Sequence, residues 1–387
     1  MRIAAADTTS GGRCGGPPAG RERRRGPALG LALALAAGLA CSAPAASPSA
    51  PGAAPAQPAA TGASAPSGAA SAPAPAAPAP VTLTYAATTL GWNLVPTLIT
   101  QEKGFFAAEG LTVEPSITGQ SAAVCQQVLA RAAEIGGCSL NDTIQTIEAS
   151  GGAPLVIVMQ ETTGPLHNGL IVRPEMTSYA DIKGKTVMLG GPKDNTVYFF
   201  KTMTRANGLR DDDYDMTYAG SSSARYAALQ AGGVAASLLT DPFDYRIEQE
   251  GFRRLDNLRP KYLNPGNYSG NGHVVHKDWA RDHGDILVRY IRAQLTAHAW
   301  MADPANEEEM FAILAPKINL TRDTFQRSYD RGRNDPEWSL DGRANPAAYE
   351  GVQRSLVELG VLQPPLSPPS KYYDMTYVEQ AHQAPRR

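Results

Sequence analysis

"TLITQEKGFFAAEGLTVEP", residues 97–115, carries a helix-like run stopped at Gly104, two phenylalanines, one further turn closed at Gly110, and a strand beginning at Leu111. Glycine just beyond a helix accepts the left-handed backbone that ends it, so the chain turns twice before extending. Upstream, "VTLTYAA" (81–87) alternates and is β-branched, which reads as a strand. "WNLVPTLITQEKG" between the two reads as a helix with Pro96 in its first turn. The opening is therefore β-α-β, and the fold follows from whether that unit repeats.

It does repeat. "SAAVCQQVLARAA" reads as a helix capped by Ser121, "EIGGCS" as a short strand, "LNDTIQTIEASGG" as a helix, and "PLVIVMQ" (154–160) as a strand buried on both faces. The pattern then restarts with "GLIVRPE", "SYADIKGKTVMLG", the helix "NTVYFFKTMTRANGL", "YDMTYAG", "SSSARYAALQAGG", "VAASLLTDP" and an edge strand, "FRRLDNL". Long helices follow the Gly/Asn-rich "NPGNYSGNG": "DHGDILVRYIRAQLTAHAWMAD", "NEEEMFAILAPKI" and "YEGVQRSLVELGVL". Such alternation predicts two α/β units, each a mostly parallel sheet flanked by helices.

The first 80 residues are a different kind of polymer. Arg21, Arg23, Arg24 and Arg25 precede the apolar run "LGLALALAAGLAC" (29–41), and an uncharged Ala/Pro/Ser/Gly stretch continues to about Pro80. Residues 1–40 read as an export signal whose apolar run is too short to span a membrane. A start codon downstream of Met1 would fit the long segment ahead of that run. Residues 41–80 read as a disordered tether. "Gly38-Leu39-Ala40-Cys41" resembles the bacterial lipoprotein box, with Gly38 where that box carries Leu, so Cys41 is the expected lipidation site.

Residues 1–40 hold six arginines against Asp7 and Glu22, which leaves 29 basic and 35 acidic residues beyond them, a net charge of −6. That balance offers no basic face for nucleic acid. Of the four cysteines, Cys125 and Cys138 remain in the folded part, one in a helix and one ending the next strand at the same edge. Their ends are close and export favours oxidation, which leaves two alternatives open, a disulfide between them or two separately buried thiols.

"EKGFFAAEGLTVE", "GGAPLVIV", "LIVRPEMTSYADIKGKTVML", "LQAGGVAASLLTDP" and "YYDMTYVEQA", in that order and spacing, resemble the substrate-binding proteins of ABC importers. The nitrate/sulfonate/taurine and thiamine-pyrimidine-precursor binding group is the nearest in pattern, over about residues 81–380. The resemblance implies the two-lobed type II periplasmic-binding-protein fold, with lobe one at 81–168 and 270–387, lobe two at 169–269, and a ligand cleft between them. It also implies a monomer without a cofactor, a permease as partner and membrane contact through the lipid only. Phe105 and Phe106 would plug the core of lobe one. Glu134 stands near where the group has an aspartate, and Ala235-Ala236 where it has Asp-Ala; both departures concern packing.

In a parallel sheet the βα turns share the carboxyl edge, where ligands bind and helix N-termini point. Five turns qualify: "TTLGWN", "TGQSA", "SLNDT", "GPKDNTV" and "GSSSA". The expected ligand-binding residues are Thr89, Trp92, Asn93, Gln120, Ser121, Asn141, Lys193, Asn195, Thr196 and Ser222, with Asp241 at a lobe crossing in a ligand, hinge or cap role. Trp92 would stack on a ligand ring or else fill the lobe core. Lys193 and Arg225 would pair with an anion or stay solvated. The ligand would be a small organic anion or a planar heterocycle.

Catalytic patterns are poor. "Lys183-Gly184-Lys185-Thr186" has Tyr179 where a phosphate-binding loop needs glycine, and His273 and His276 sit three apart on a strand, so a metal pair is not expected. Enzymes of similar fold are the alternative: a desulfinase with a cleft cysteine, or a thiamine-pyrimidine synthase with a cysteine-rich motif. The first turn carries Trp92 and Asn93 without cysteine, and that motif is absent. A sensory or partner-binding module is the third reading. If Cys41 carries the anchor, Cys41→Ser should shift the protein from the membrane fraction to the soluble one; a variant that stays with the membrane would sink the lipoprotein reading.

Overall fold

The structure, a computed structural model, describes residues 81–149 and 151–383. The expected export signal, Cys41 and the tether lie outside the described residues. Among the described residues the first sheet takes β1 (Val81–Ala87), β2 (Leu111–Ile117), β3 (Ile135–Ser139) and β4 (Leu155–Gln160). It is completed by β10 (Asn271–His276) in the order β2-β1-β3-β10-β4. The second sheet is built from β5 (Gly169–Val172), β6 (Thr186–Leu189), β7 (Asp215–Tyr218), β8 (Ala236–Leu239) and β9 (Arg253–Asn257), ordered β7-β6-β8-β5-β9.

Helices α1 (Val95–Glu102), α2 (Phe105–Ala108), α3 (Ser121–Leu129) and α4 (Leu140–Ala149) belong to the first unit. Helices α5 (Asn195–Ala206), α6 (Ser222–Gln230) and α7 (Phe243–Gln249) belong to the second. The C-terminal part adds α8 (Lys277–Asp282), α9 (Gly284–Ala302), α10 (Glu307–Ile318), α11 (Arg322–Asn334), α12 (Pro346–Glu358) and α13 (Thr376–Gln383). None of the helices among the described residues is long and apolar enough to cross a membrane.

Each sheet contains one strand that runs against the others. β10 pairs antiparallel with both β3 and β4, and β5 pairs antiparallel with both β8 and β9. Both follow a crossing between the sheets, so the chain enters from the opposite end instead of returning through a helix. The parallel pairs β1–β2, β1–β3, β6–β7 and β6–β8 are the ones joined by helices, as parallel pairing requires. β9 lies at a sheet edge and β4 is buried along its whole length.

The segment 97–115 now has its physical account. Gly104 ends α1 at φ +72° and Gly110 ends α2 at φ +69°, both in the left-handed region. The single turn between them turns Phe106 inward, where its ring stacks on Tyr290 of α9 with centroids 5.5 Å apart. Phe105 is only partly buried. Glu109 locks the turn to the same helix by accepting from Arg292 Nε at 2.5 Å, while its carbonyl accepts from Arg289 at 2.9 Å. Truncating a buried phenylalanine such as Phe106 costs about 3–5 kcal/mol. Glu134 accepts from the Thr84 N–H at 2.7 Å and so ties the approach to β3 onto β1.

Cys125 on α3 and Cys138 on β3 form a disulfide across 13 residues, with both sulfurs buried. Closing a loop of this size restricts the unfolded chain by about 3 kcal/mol. Thiol titration of the unfolded, unreduced chain should therefore find no free thiol from residues 125 and 138. The Cys125→Ala/Cys138→Ala variant should lose about 2–4 kcal/mol in denaturant melts; two titrating thiols would refute the bridge.

Candidate functional site

The turns that follow β1, β2, β3, β6, β7 and β8 meet between the two sheets and bound a cavity of about 110 Å³. From the first lobe come Thr88, Thr89, Asn93, Ser121, Ser139 and Asp142; from the second come Asp194, Asn195, Thr196, Phe199, Ser222, Arg225 and Thr240. The chain crossings add Asn168, Gly270 and Asn271. An outer space of about 200 Å³, lined by Gln120, Gln145, Lys193 and Gly220 among others, forms the rim.

Local bonding explains the position of each wall. Ser121 Oγ accepts from the Ser139 N–H at 2.9 Å, which holds the start of α3 against the end of β3. Ser139 Oγ in turn donates to Asp142 Oδ2 at 2.9 Å and accepts from the Asp142 N–H at 3.1 Å, a cap on α4. On the other lobe Asp194 caps α5 by accepting from the Thr196 N–H at 2.8 Å and from its hydroxyl at 2.5 Å. Thr196 Oγ1 also accepts from the Gly190 N–H at 2.8 Å, so that hydroxyl is committed to the turn. A Cβ at Gly190 would lie 2.5 Å from the Asp194 carboxylate, so the turn needs glycine.

Arg225 is 4% exposed and spends four of its five N–H donors on the protein itself. They reach the carbonyls of Leu238 (3.0 Å), Ala219 (3.2 Å) and Gly220 (2.8 Å) and the hydroxyl of Ser222 (3.0 Å). Its role is to hold the turn after β7 against β8. Asp142 is pushed up to about 6, first by burial and next by the Asp194 charge on the facing lobe, against the hydrogen bonds of Ser121 and Ser139.

The structure brings together at the cavity Thr89, Asn93, Ser121, Asn195, Thr196 and Ser222 of the residues expected from sequence. Gln120 and Lys193 stand at its rim. Three others lie elsewhere. Trp92 is 5% exposed in the core of the first lobe, where its indole N–H donates to Glu337 Oε2 at 2.9 Å. The chain passes from β1 into a 3-10 turn at Trp92–Leu94, which rotates this side chain away from the cleft; it lines a separate cavity with His298, Met301 and Tyr329. Asn141 is buried, its side-chain oxygen accepting from Gln145 at 2.6 Å.

Asp241 is buried in an ion network instead of the cavity wall. Arg331 of α11 bonds both Asp241 and Asp244, and Arg254 reaches Asp244 at 2.9 Å. Burial drives Asp241 well above the usual carboxylate range, with the Arg331 charge opposing it. Arg327 and Glu248 extend the network between α11 and α7. Neither helix is evident in the sequence pattern. α11 buries only Thr324, Phe325, Ser328 and Tyr329 amid charged residues, too sparse an apolar face to stand out.

Sequence reasoning also passed over Asp142 and Asp194. Each adjoins an asparagine that was chosen, and an acid in the first turn of a helix reads as a cap. The missing signal was that the two caps would face each other, which only the apposition of the lobes creates.

Two mixed α/β lobes with a cavity at the carboxyl edges of their helix-linked strands define the architecture of periplasmic binding proteins. The chain belongs to the NMT1/THI5-like family, whose model matches residues 92–307, more than half of its length. The periplasmic nitrate-binding protein NrtA from Synechocystis superposes with a TM-score of 0.65 at 14% identity, covering 79% of this chain and 89% of that one. The alkanesulfonate-binding protein SsuA from Xanthomonas axonopodis pv. citri does so at 0.63 and 16% identity, covering 77% and 99%. The desulfurization enzyme DszB shares the fold as well, with a TM-score of 0.58 and 14% identity over 78% and 99%. Among curated proteins, the bicarbonate transport ATP-binding protein CmpC of Synechocystis is 31% identical over 126 residues. That stretch is 32% of this chain and 18% of CmpC, so the chain spans less than a fifth of that relative.

The raised Asp142 has a measurable consequence. The folded chain holds this proton more tightly than the unfolded one, whose carboxyl ionises near 3.8. The associated stability is complete below the unfolded value and is lost as pH rises through about 6. Asp142→Asn should therefore be the more stable form at pH 7.5, by about 1–2 kcal/mol after allowing for water in the cleft, with the gap closing near pH 4. Parallel thermal melts across that range test the sign; a variant less stable than the parent at pH 7.5 would contradict it.

Proposed function

We propose that this protein is the exported solute-binding component of an ABC importer. In this reading it captures a small polar solute between lobe one (81–168 and 270–387) and lobe two (169–269), and presents the closed form to a membrane permease. One observation carries the reading: the cavity is bounded by βα turns of both lobes, so an occupant contacts both at once. Such a ligand binds the closed arrangement better than the open one, and that difference drives closure. The rims already touch, with Gln145 of lobe one donating to the Lys193 carbonyl of lobe two at 3.0 Å.

Family membership and the similarity to proteins named for nitrate and alkanesulfonate binding support a small-molecule cargo. The proposed cargo class spans small organic anions and planar heterocycles, sulfonate-, nitrate- or pyrimidine-precursor-like. Residues 1–40 would be removed on export, Cys41 would carry the lipid anchor, and 41–80 would hold a monomeric receptor off the membrane. An enzyme resembling DszB is the second reading, because that protein shares the fold. Against it, Cys125 and Cys138 are tied to each other and no histidine lines the cavity among the described residues. A bridged sulfur is no nucleophile.

Closure gives the test. A Cβ at Gly220 of lobe two would lie 2.5 Å from Gln120 Cγ of lobe one, so Gly220→Phe should overpack the closed rim by about 1–3 kcal/mol. The closed-to-open ratio then falls roughly 5- to 150-fold. Small-angle scattering should show a larger radius for the variant, and native mass spectrometry the loss of any co-purified solute. An unchanged radius with the same solute retained would exclude this hinge-closure reading.

A further inference from the structure

The oxygen atoms of the cavity point to the charge of its occupant. Asp142 and Asp194 stand on opposite lobes and line the same space. Asp142 has Oδ2 engaged by Ser139 and its charge is also favoured by the Ser121 hydroxyl, while Asp194 has Oδ1 engaged by Thr196; Asp142 Oδ1 and Asp194 Oδ2 make no geometric hydrogen bond among the described residues. Asn168, 4% exposed at the chain crossing, donates its Nδ2 to the Leu166 carbonyl at 2.7 Å, which leaves its side-chain oxygen without a partner as well. Three unpartnered acceptors, two of them carboxylate oxygens, therefore bound one small cavity.

One cation offsets them in part, because the charge of the buried Arg225 guanidinium acts on Asp194. Arg225, the one cation lining this cavity among the described residues, has four of its five donors committed to its own turn and so at most one left for an occupant. The Lys193 side chain is solvent-exposed at the rim. An oxyanion enclosed here would meet two carboxylates against one guanidinium, while its oxygens would find little but hydroxyl and amide donors. Enclosure removes water and strengthens whichever sign of interaction is present.

We propose that the solute is an organic cation whose head group carries at least two N–H donors, an ammonium or amidinium, held between Asp142 and Asp194 with Asn168 accepting a third hydrogen bond. This rests on the solute-binding reading and replaces its cargo class of organic anions and planar heterocycles by a cation. The remaining side chains suit it: the amides of Asn93, Asn195 and Asn271 can donate or accept, and Phe199 offers a buried ring to the carbon skeleton. An encounter of opposite charges across the cleft would also draw the lobes together, because the cation interacts with both carboxylates only when they are apposed.

Matched probes of one shape and opposite charge test the assignment: acetamidinium against acetate and benzamidinium against benzoate, with nitrate and methanesulfonate added. Ligand-observed NMR titrations of the purified exported protein at pH 7.5 and constant ionic strength would read the affinities. The expected result is selective binding of the two amidinium ions, weakened roughly tenfold or more by either Asp142→Asn or Asp194→Asn, since each change removes a charge-assisted hydrogen bond. Asparagine keeps the oxygen that accepts from Ser139 at position 142 and the helix-capping oxygen at position 194, and a cooperative thermal melt verifies that each variant is folded. Preference for an anion, tightened by Asp142→Asn, overturns the charge assignment and leaves the solute-binding reading intact. Binding of neither sign also overturns the assignment, and the scattering and native-mass measurements on Gly220→Phe then judge the broader reading on their own.

Discussion

Two parallel strands cannot be joined by a tight turn; the chain must cross over, and here it crosses as helices. That constraint puts the turns after β1, β3, β6, β7 and β8 at the carboxyl edges of their sheets. Each such turn begins or approaches a helix, whose first N–H groups need partners. Ser139, Asp194 and Ser221 supply them from their own side chains. The cleft is thus lined with small polar residues for a reason that precedes any ligand: they satisfy helix ends. In the cation assignment proposed above, specificity would come from what the caps leave over, the unengaged oxygens of Asp142 and Asp194.

The two lobes are held by charges taken out of water. At the crossings Arg259 grips Asp335 through both nitrogens, at 2.8 and 2.6 Å, and donates to the Pro165 carbonyl at 2.9 Å. Glu337 accepts from the His167 N–H at 2.6 Å and from Trp92, so the first turn of lobe one and the crossing share a carboxylate. Further out, Arg331 joins α11 to Asp241 and Asp244. Buried ion pairs of this type add little net stability over apolar packing, yet removing one partner strands the other. Their geometric demand is strict, which suits the hinge role proposed for this region.

The interior of the first lobe shows a complementary economy. Phe106, Tyr85 and Tyr290 form a chain of stacked rings beneath the sheet, and the Tyr290 hydroxyl meets His273 at 2.8 Å. His273 is therefore a core group of β10, and His276 caps α8 by accepting from the Asp278 N–H at 3.2 Å. The two histidines, three apart on β10, thus serve packing and capping.

What the sequence by itself determined is local. Gly104 and Gly110 dictate a break and a single turn, because only glycine adopts those angles without strain. The alternation of strand and helix dictates two α/β units and the edge at which their turns collect. Six of the expected cleft residues reach the cavity because the turns that carry them collect at that edge. Only the tertiary structure decided the rest. Whether a turn residue faces its cavity depends on a rotation of a fraction of a turn, as at Trp92, whose 3-10 turn sends the ring into the core. The reversal of β5 and β10 depends on how the chain crosses between sheets, which periodicity within a strand cannot reveal. The facing of Asp142 and Asp194 depends on the apposition of lobes whose cap residues lie 52 positions apart. Side-chain identity sets what a residue can do; long-range packing sets what it is brought against.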